Sequence, residues 1–209
     1  MLPVLTEIMS VTHGVETAQS LLGLIGGSRF GQSIAVLGIG PLGLCHLIKA
    51  KLLGAGKLIA TDRFASRLRL AEAFGATLTM QVDDTEPEER IARAREHSDG
   101  IGPDIVLDCS GFPQTFVEAI RMVRVGGVVV EAGTFVDMGP VSINPNSDIC
   151  TKNVSVIGVG GETCHVISAI DAADGRQPQA AALRAHRQPL ACRSSALRKR
   201  SSWRKPTLP

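Results

Sequence analysis

The residues best suited to chemistry are three glycines at fixed spacing and one acid. Gly38-Ile39-Gly40-Pro41-Leu42-Gly43 has the form G-x-G-x-x-G, and Asp62 stands 19 residues beyond its last glycine. In such a turn the first glycine permits a tight bend and the second lets the backbone approach a pyrophosphate. The third lets the following helix pack closely on the strand. The helix N-terminus offers unpaired N–H groups and a partial positive charge to the phosphates. An acid ending the next strand hydrogen-bonds the adenosine ribose hydroxyls and repels a 2′-phosphate, which favours NAD over NADP. Arg63 softens that preference, because a neighbouring Arg accepts a phosphate. The alternative is a turn kept for packing alone, with Asp62 a solvated strand end.

The surrounding elements decide between these readings. Ser33-Ile34-Ala35-Val36-Leu37 is a short apolar run, the form of a strand buried on both faces. A helix from Pro41 to about Leu53 follows and stops at Gly54-Ala55-Gly56. Leu58–Thr61 then reads as a second strand leading into Asp62. The glycine turn thus lies in a β-α-β unit of about 30 residues, the context that gives the motif its meaning. Further along, Ser66–Phe74 is helical with Leu68, Leu70, Ala71 and Phe74 inward, and Gly75 caps it. A weak strand at Thr77–Met80, a polar-faced helix at Pro87–His97 and a buried strand at Asp104–Asp108 come next. Pro113–Val123 is a helix, and Val128–Glu131 and Val154–Val159 are strands. Alternating strands and helices joined by glycine turns predict an α/β doubly wound parallel sheet of the Rossmann type.

Composition narrows the class. The chain has 209 residues, 44% hydrophobic and 3% aromatic, with no tyrosine. A Tyr-x-x-x-Lys mechanism of the short-chain dehydrogenases is therefore excluded. Methyltransferases also pair a glycine turn with a strand-end acid, but their ligand needs no pyrophosphate turn of this form. No apolar run reaches the roughly 18–20 residues of a membrane helix, and residues 1–30 lack the pattern of a secretory signal. Cys45, Cys109, Cys150, Cys164 and Cys192 are scattered and form no C-x-x-C pair, which fits a reducing cytoplasm.

Several segments together resemble the zinc-containing medium-chain alcohol and polyol dehydrogenases of the sorbitol and threonine dehydrogenase type. They are Gly31–Gly43, Ala60-Thr61-Asp62-Arg63, Ala73-Phe74-Gly75-Ala76, Asp108-Cys109-Ser110-Gly111, Val125-Gly126-Gly127 and Lys152–Gly158. The resemblance covers roughly residues 3–170. It implies oxidation of a secondary alcohol or polyol, with hydride passing to NAD and zinc polarising the substrate oxygen. It places Glu7 at a zinc-ligand position, the alternative being a solvated residue of the first helical turn. It places Arg67 on the adenosine side of the cofactor, the alternative being a solvated helix charge. Ser110-Gly111 and Gly133-Thr134 end the fourth and fifth strands and should line the cofactor cleft, since ligands bind outside the carboxyl ends of parallel strands. Val154–Val159 resembles the edge strand through which family members pair into dimers, so a homo-oligomer is expected.

The resemblance also implies parts that this sequence does not show. An amino-terminal GroES-like barrel domain would carry the other zinc ligands. His13, His46, His97, His165 and His186 stand at no metal-site spacing; His46 reads as a partly buried helix residue, and the adjacent Cys164-His165 would point apart. No residue is singled out as catalytic. Residues 1–30 are read as a helical lead-in, 31–170 as the coenzyme domain and 171–209 as a disordered basic tail. Residues 176–209 carry nine Arg or Lys and no acid, leaving 13 basic and 20 acidic groups, a net of −7, on the other 175 residues. A shifted reading frame in a GC-rich gene is the favoured origin of this tail. The competing reading is a nucleic-acid-binding tail built on Arg198-Lys199-Arg200 and Trp203-Arg204-Lys205. The whole is expected to be a truncated coenzyme-binding part with little turnover of its own, the rival being a non-catalytic NAD-binding or dimerisation module.

Overall fold

The structure, a computed structural model, describes residues 8–9, 11–27 and 30–160. Glu7, the Cys164-His165 pair and the basic tail lie outside the described residues. Among the described residues six strands form one sheet: β1 Ser33–Leu37, β2 Lys57–Asp62, β3 Leu78–Gln81, β4 Ile105–Asp108, β5 Val128–Glu131 and β6 Ser155–Gly158. Their order is β3-β2-β1-β4-β5-β6, and every neighbouring pair is parallel. The chain starts at the centre, winds to one edge, then returns and winds to the other. The crevice lies at that reversal, between the ends of β1 and β4.

The strands that read as continuous apolar runs are the ones covered on both faces. All five residues of β1 and all four of β4 are buried. Helices α1 (Gly14–Leu24), α2 (Pro41–Leu52) and α3 (Ala65–Ala73) cover one face, where Val15, Leu22 and Leu47 meet Ile34, Val36, Ile105 and Leu107. Helices α4 (Pro87–His97) and α5 (Pro113–Met122) cover the other, where Ala94, Ile120 and Met122 meet Ala35, Leu37 and Val106. Alternate strand residues point to opposite faces, so each core is fed by every second position.

Several expectations are sharpened or corrected. On α3, Leu68 and Ala71 are buried, but Leu70 and Phe74 are 43% and 44% exposed. At 3.6 residues per turn, positions 70 and 74 lie on the stripe opposite 68 and 71. The polar-faced α4 buries a charge, Arg90, beside Ala94. Its guanidinium binds both carboxylate oxygens of Glu118 on α5, at 2.8 and 2.7 Å. The last described strand is Ser155–Gly158, shorter than Val154–Val159, and among the described residues it pairs with β5 alone. A 3-10 turn at Val82–Asp84 and a π-helical turn at Pro145–Cys150 had no periodic signature in the sequence. Among the described residues no helix is long and apolar enough to cross a membrane.

Candidate functional site

The glycine turn joins β1 to α2, and each glycine meets a different constraint. Gly38 has φ +90°, and a Cβ there would sit 2.8 Å from the Ser110 Cα. Only a residue without a side chain allows both that conformation and that approach. A Cβ on Gly43 would run into the Gly38 carbonyl oxygen. Gly40 is the opposite case: nothing lies within 4 Å of a Cβ built on it, and it borders open cavity. Gly40 is also the N-cap of α2, with no side-chain cap, and Pro41 follows at the first helical position. The first-turn N–H groups of α2 therefore have no intrahelical acceptor, which suits an anion.

Asp62 closes the other side. It is 5% exposed at the end of β2. Its Oδ2 accepts the Ile39 N–H at 2.8 Å, and its Oδ1 accepts the Phe64 N–H at 2.8 Å. Arg67 donates to Oδ2 at 3.4 Å while its guanidinium stacks 4.8 Å above the Phe64 ring. Arg63 donates to Asp83 at 3.0 Å. Both arginines thus already have acidic partners.

A cavity of about 1120 Å³ runs over these carboxyl ends, bordered by Gly38, Gly40, Pro41, Asp62, Arg63, Arg67 and Ser110 among others. That is slightly above the usual range of roughly 300–1,000 Å³ for small-molecule sites. Leu42, Gly43, Gly111, Gly133 and Thr134 are not among its lining residues. Leu42 packs on the apolar core and Gly43 against the glycine turn itself. Gly133 lies against the Cys109–Gly111 backbone, and a Cβ on it would meet Ser110 N at 2.8 Å. Thr134 donates through N–H and Oγ1 to Glu131. These residues shape the cleft from behind.

This geometry has relatives. The family model described as zinc-binding dehydrogenase matches residues 41–173. The chain belongs to that family. Human sorbitol dehydrogenase is 34% identical over 134 residues, covering 64% of this chain and 36% of that protein. The solved alcohol dehydrogenase TADH from Thermus sp. ATN1 is 32% identical with a TM-score of 0.65, over 80% of this chain and 44% of its own. A protein from Sinorhizobium meliloti 1021, solved bound to NADP, is 31% identical with a TM-score of 0.66, over 81% of this chain and 47% of its own. The chain therefore spans about a third of the curated relative and under half of the solved ones. The described residues are the coenzyme-binding portion of a zinc-containing medium-chain dehydrogenase.

Three acid-base features of this family member were not legible as a site in its sequence. His46 is wholly buried rather than partly so. Its Nδ1 lies 3.0 Å from the Leu42 carbonyl, which can only accept, so Nδ1 carries the proton, and Nε2 is buried with no partner among the described residues. Burial pushes its pKa down to about 4, leaving the ring neutral. Burial also raises the Cys109 thiol well above its ordinary value, which disfavours the thiolate. The third feature is a pair of acids. Asp108 and Glu131 are register partners at the ends of β4 and β5. Burial, with Glu131 adding to it, pushes Asp108 up to about 7. The signal was present: two apolar strands, Ile105-Val106-Leu107 and Val128-Val129-Val130, each end in an acid.

Among the described residues no three His, Cys, Asp or Glu side chains cluster around a possible cation. A dinucleotide does fit: open space at Gly40, uncapped N–H groups on α2 and a buried acid at Asp62 match its pyrophosphate and ribose.

Proposed function

We propose that this chain binds NAD, in preference to NADP, as the coenzyme half of a secondary alcohol or polyol dehydrogenase. The observation that carries the reading is the placement of Asp62. It is a buried carboxylate fixed by the Ile39 N–H, on the same cavity as the open face of Gly40. When bound, the nicotinamide supplies a hydride acceptor. The residues of the chain do the holding. Gly38, Gly40, Pro41, Leu42 and Gly43 bring backbone to the pyrophosphate. Asp62 retains free lone pairs for ribose hydroxyls and repels a phosphate at the 2′ position. Arg63 and Arg67, committed to Asp83 and to Asp62 with Phe64, offer no unpaired charge to that phosphate. Ser110-Gly111 and Gly133-Thr134 form the floor on the nicotinamide side. The Sinorhizobium relative bound to NADP makes the coenzyme preference the point to test.

Glu7 is proposed as a zinc ligand on the resemblance alone. No cluster of three His, Cys, Asp or Glu among the described residues completes a metal shell, and on this reading the purified chain binds coenzyme but turns over little substrate. Calorimetric titration with NAD and NADP, beside an assay with NAD, zinc and a panel of secondary alcohols and polyols, tests both parts. Equal or tighter NADP binding overturns the preference. Appreciable metal-dependent turnover overturns the claim that this part is not self-sufficient.

A further inference from the structure

Asp108 and Glu131 lie side by side at the C-terminal ends of β4 and β5, on the sheet face covered by α4 and α5. Each spends one carboxylate oxygen on the turn that follows its strand. Asp108 Oδ1 accepts the Ser110 N–H and hydroxyl, both at 2.9 Å. Glu131 Oε1 accepts the Gly133 N–H at 3.1 Å, the Thr134 N–H at 2.9 Å and the Thr134 hydroxyl at 2.6 Å. The other oxygens, Asp108 Oδ2 and Glu131 Oε2, are buried and meet no donor among the described residues. As register partners of a parallel pair, pointing to the same sheet face, the two carboxyl groups are direct neighbours across the β4–β5 ladder.

Two carboxylates in this position cannot both be ionised without large repulsion. Among the described residues no cation is paired with either of them. On the covering helices, Arg90 and Glu118 are paired with each other, and Arg121 and Arg95 meet at the Arg121 carbonyl. Lys152 donates to the Ile120 and Arg121 carbonyls, and Asp148 accepts the Asn144 N–H. Behind the sheet, His46 is neutral and bonded to Leu42, and Cys109 is a thiol. The two turns held by the acids are themselves in contact, Gly133 lying against the Ser110 backbone.

We propose that Asp108 and Glu131 share one proton between Oδ2 and Oε2, and that this proton clips the two turns together as the floor of the coenzyme cleft. The pair are positioning residues: they touch no cofactor but set where Ser110 and Gly133 stand. The link to coenzyme rests on the reading of the cleft as an NAD site. Loss of the proton as pH rises through neutrality leaves two adjoining anions, the turns part, and NAD binds more weakly. Amide variants keep the bridge without the removable proton. In Asp108→Asn the amide oxygen accepts from Ser110 and the amide NH2 donates to Glu131 Oε2. Glu131→Gln does the same in reverse.

The test uses the full chain and both variants, with NAD affinity measured by calorimetry from about pH 6 to about pH 8.5. The expected result is an affinity that falls about fivefold or more for the unaltered chain, while both variants give flat profiles. An infrared difference between the chain and Asp108→Asn reads the proton without any coenzyme. A buried carboxylic acid band at pH 6 that fades by pH 8.5 is expected. A flat profile in the unaltered chain, the same slope in both variants, or the absence of the band each overturns the proposal. Failure to bind NAD at any pH overturns the coenzyme reading and the affinity link with it, and the infrared band then decides the shared proton separately.

Discussion

Asp62 Oδ2 accepts the backbone N–H of Ile39 at 2.8 Å, which ties the end of β2 to the glycine turn after β1. The acid that would read the ribose is thus also a strut of the turn that would hold the phosphates. Replacing it has two separable effects. Asp62→Ala should weaken NAD binding about tenfold or more and bring NADP affinity toward that of NAD, because the repelling charge is gone. It also leaves the Ile39 N–H without its acceptor, at a cost of about 1–3 kcal/mol in stability. Calorimetry with both coenzymes and urea denaturation of the same variant measure the two.

The glycines of the turn should separate folding from binding. Gly43→Ala forces a Cβ onto the Gly38 carbonyl, which is backbone and cannot swing away, so about 1–3 kcal/mol of stability is lost. Gly40→Ala meets no atom within 4 Å and has φ −69°, a conformation open to any residue. Its stability should stay within about 0.5 kcal/mol of the parent while NAD affinity drops tenfold or more. Urea midpoints set beside coenzyme titrations would show whether the two glycines behave alike, which this account forbids.

Two buried groups give opposing pH dependence. His46 has a folded pKa lowered to about 4 from 6.5, so the unfolded chain binds its proton first as the solution is acidified. Its contribution is complete above about pH 6.5 and is lost as pH falls toward 4, on the order of 3 kcal/mol in all. Asp108 is raised to about 7 from 3.8, so the folded chain holds its proton longer and stability falls as pH rises between those values. The two trends partly cancel in the unaltered chain. Against it, His46→Asn should lose its relative disadvantage on acidification, while Asp108→Asn should gain relative stability from pH 4 to 7. Denaturation midpoints of all three proteins at pH 4.5, 6 and 7.5 resolve the signs.

The Arg90–Glu118 pair, with side chains 6% and 9% exposed, should be costly to halve. Glu118→Ala strands a buried guanidinium and loses about 3–5 kcal/mol, whereas replacing both partners by apolar residues of similar size recovers most of it. Equal destabilisation of the single and double variants in urea would contradict this.

The outer edge of β6, which has no strand beside it among the described residues, offers a last test. Ser155 donates its N–H to the Gly127 carbonyl just before β5 and Val159 donates to the Glu131 carbonyl at its end, so by the two-residue period the Val156 N–H points away from β5. If β6 joins two copies, Val156→Pro removes an outward donor without costing a β5 bond and should convert a dimer to a monomer in sedimentation. A sedimentation coefficient unchanged by the substitution rules out β6 as the seam.

What the sequence disclosed follows from where each partner sits. The glycine turn, Asp62 and the apolar strands were legible because each depends on neighbours within one β-α-β unit. Arg90 read as part of a polar face because its partner Glu118 is 28 positions away on another helix. Asp108 and Glu131 read as ordinary strand ends for the same reason: only the β4–β5 register brings them together. Leu70 and Phe74 misled in the other direction, since apolar identity outweighed their helical phase. Chemistry made by two distant segments is hidden until topology is known.

The sheet order carries a consequence for synthesis. β1 emerges from the ribosome first, and β2 and β3 complete one half of the sheet by Gln81. The other flank of β1, whose Ile34, Ala35, Val36 and Leu37 later register with Ile105–Asp108, then has no neighbour until β4 is translated. At about 5–20 residues per second, the gap from residue 81 to 108 lasts seconds. During that interval the nascent chain presents a bare apolar strand at the very place where the finished molecule is most deeply enclosed.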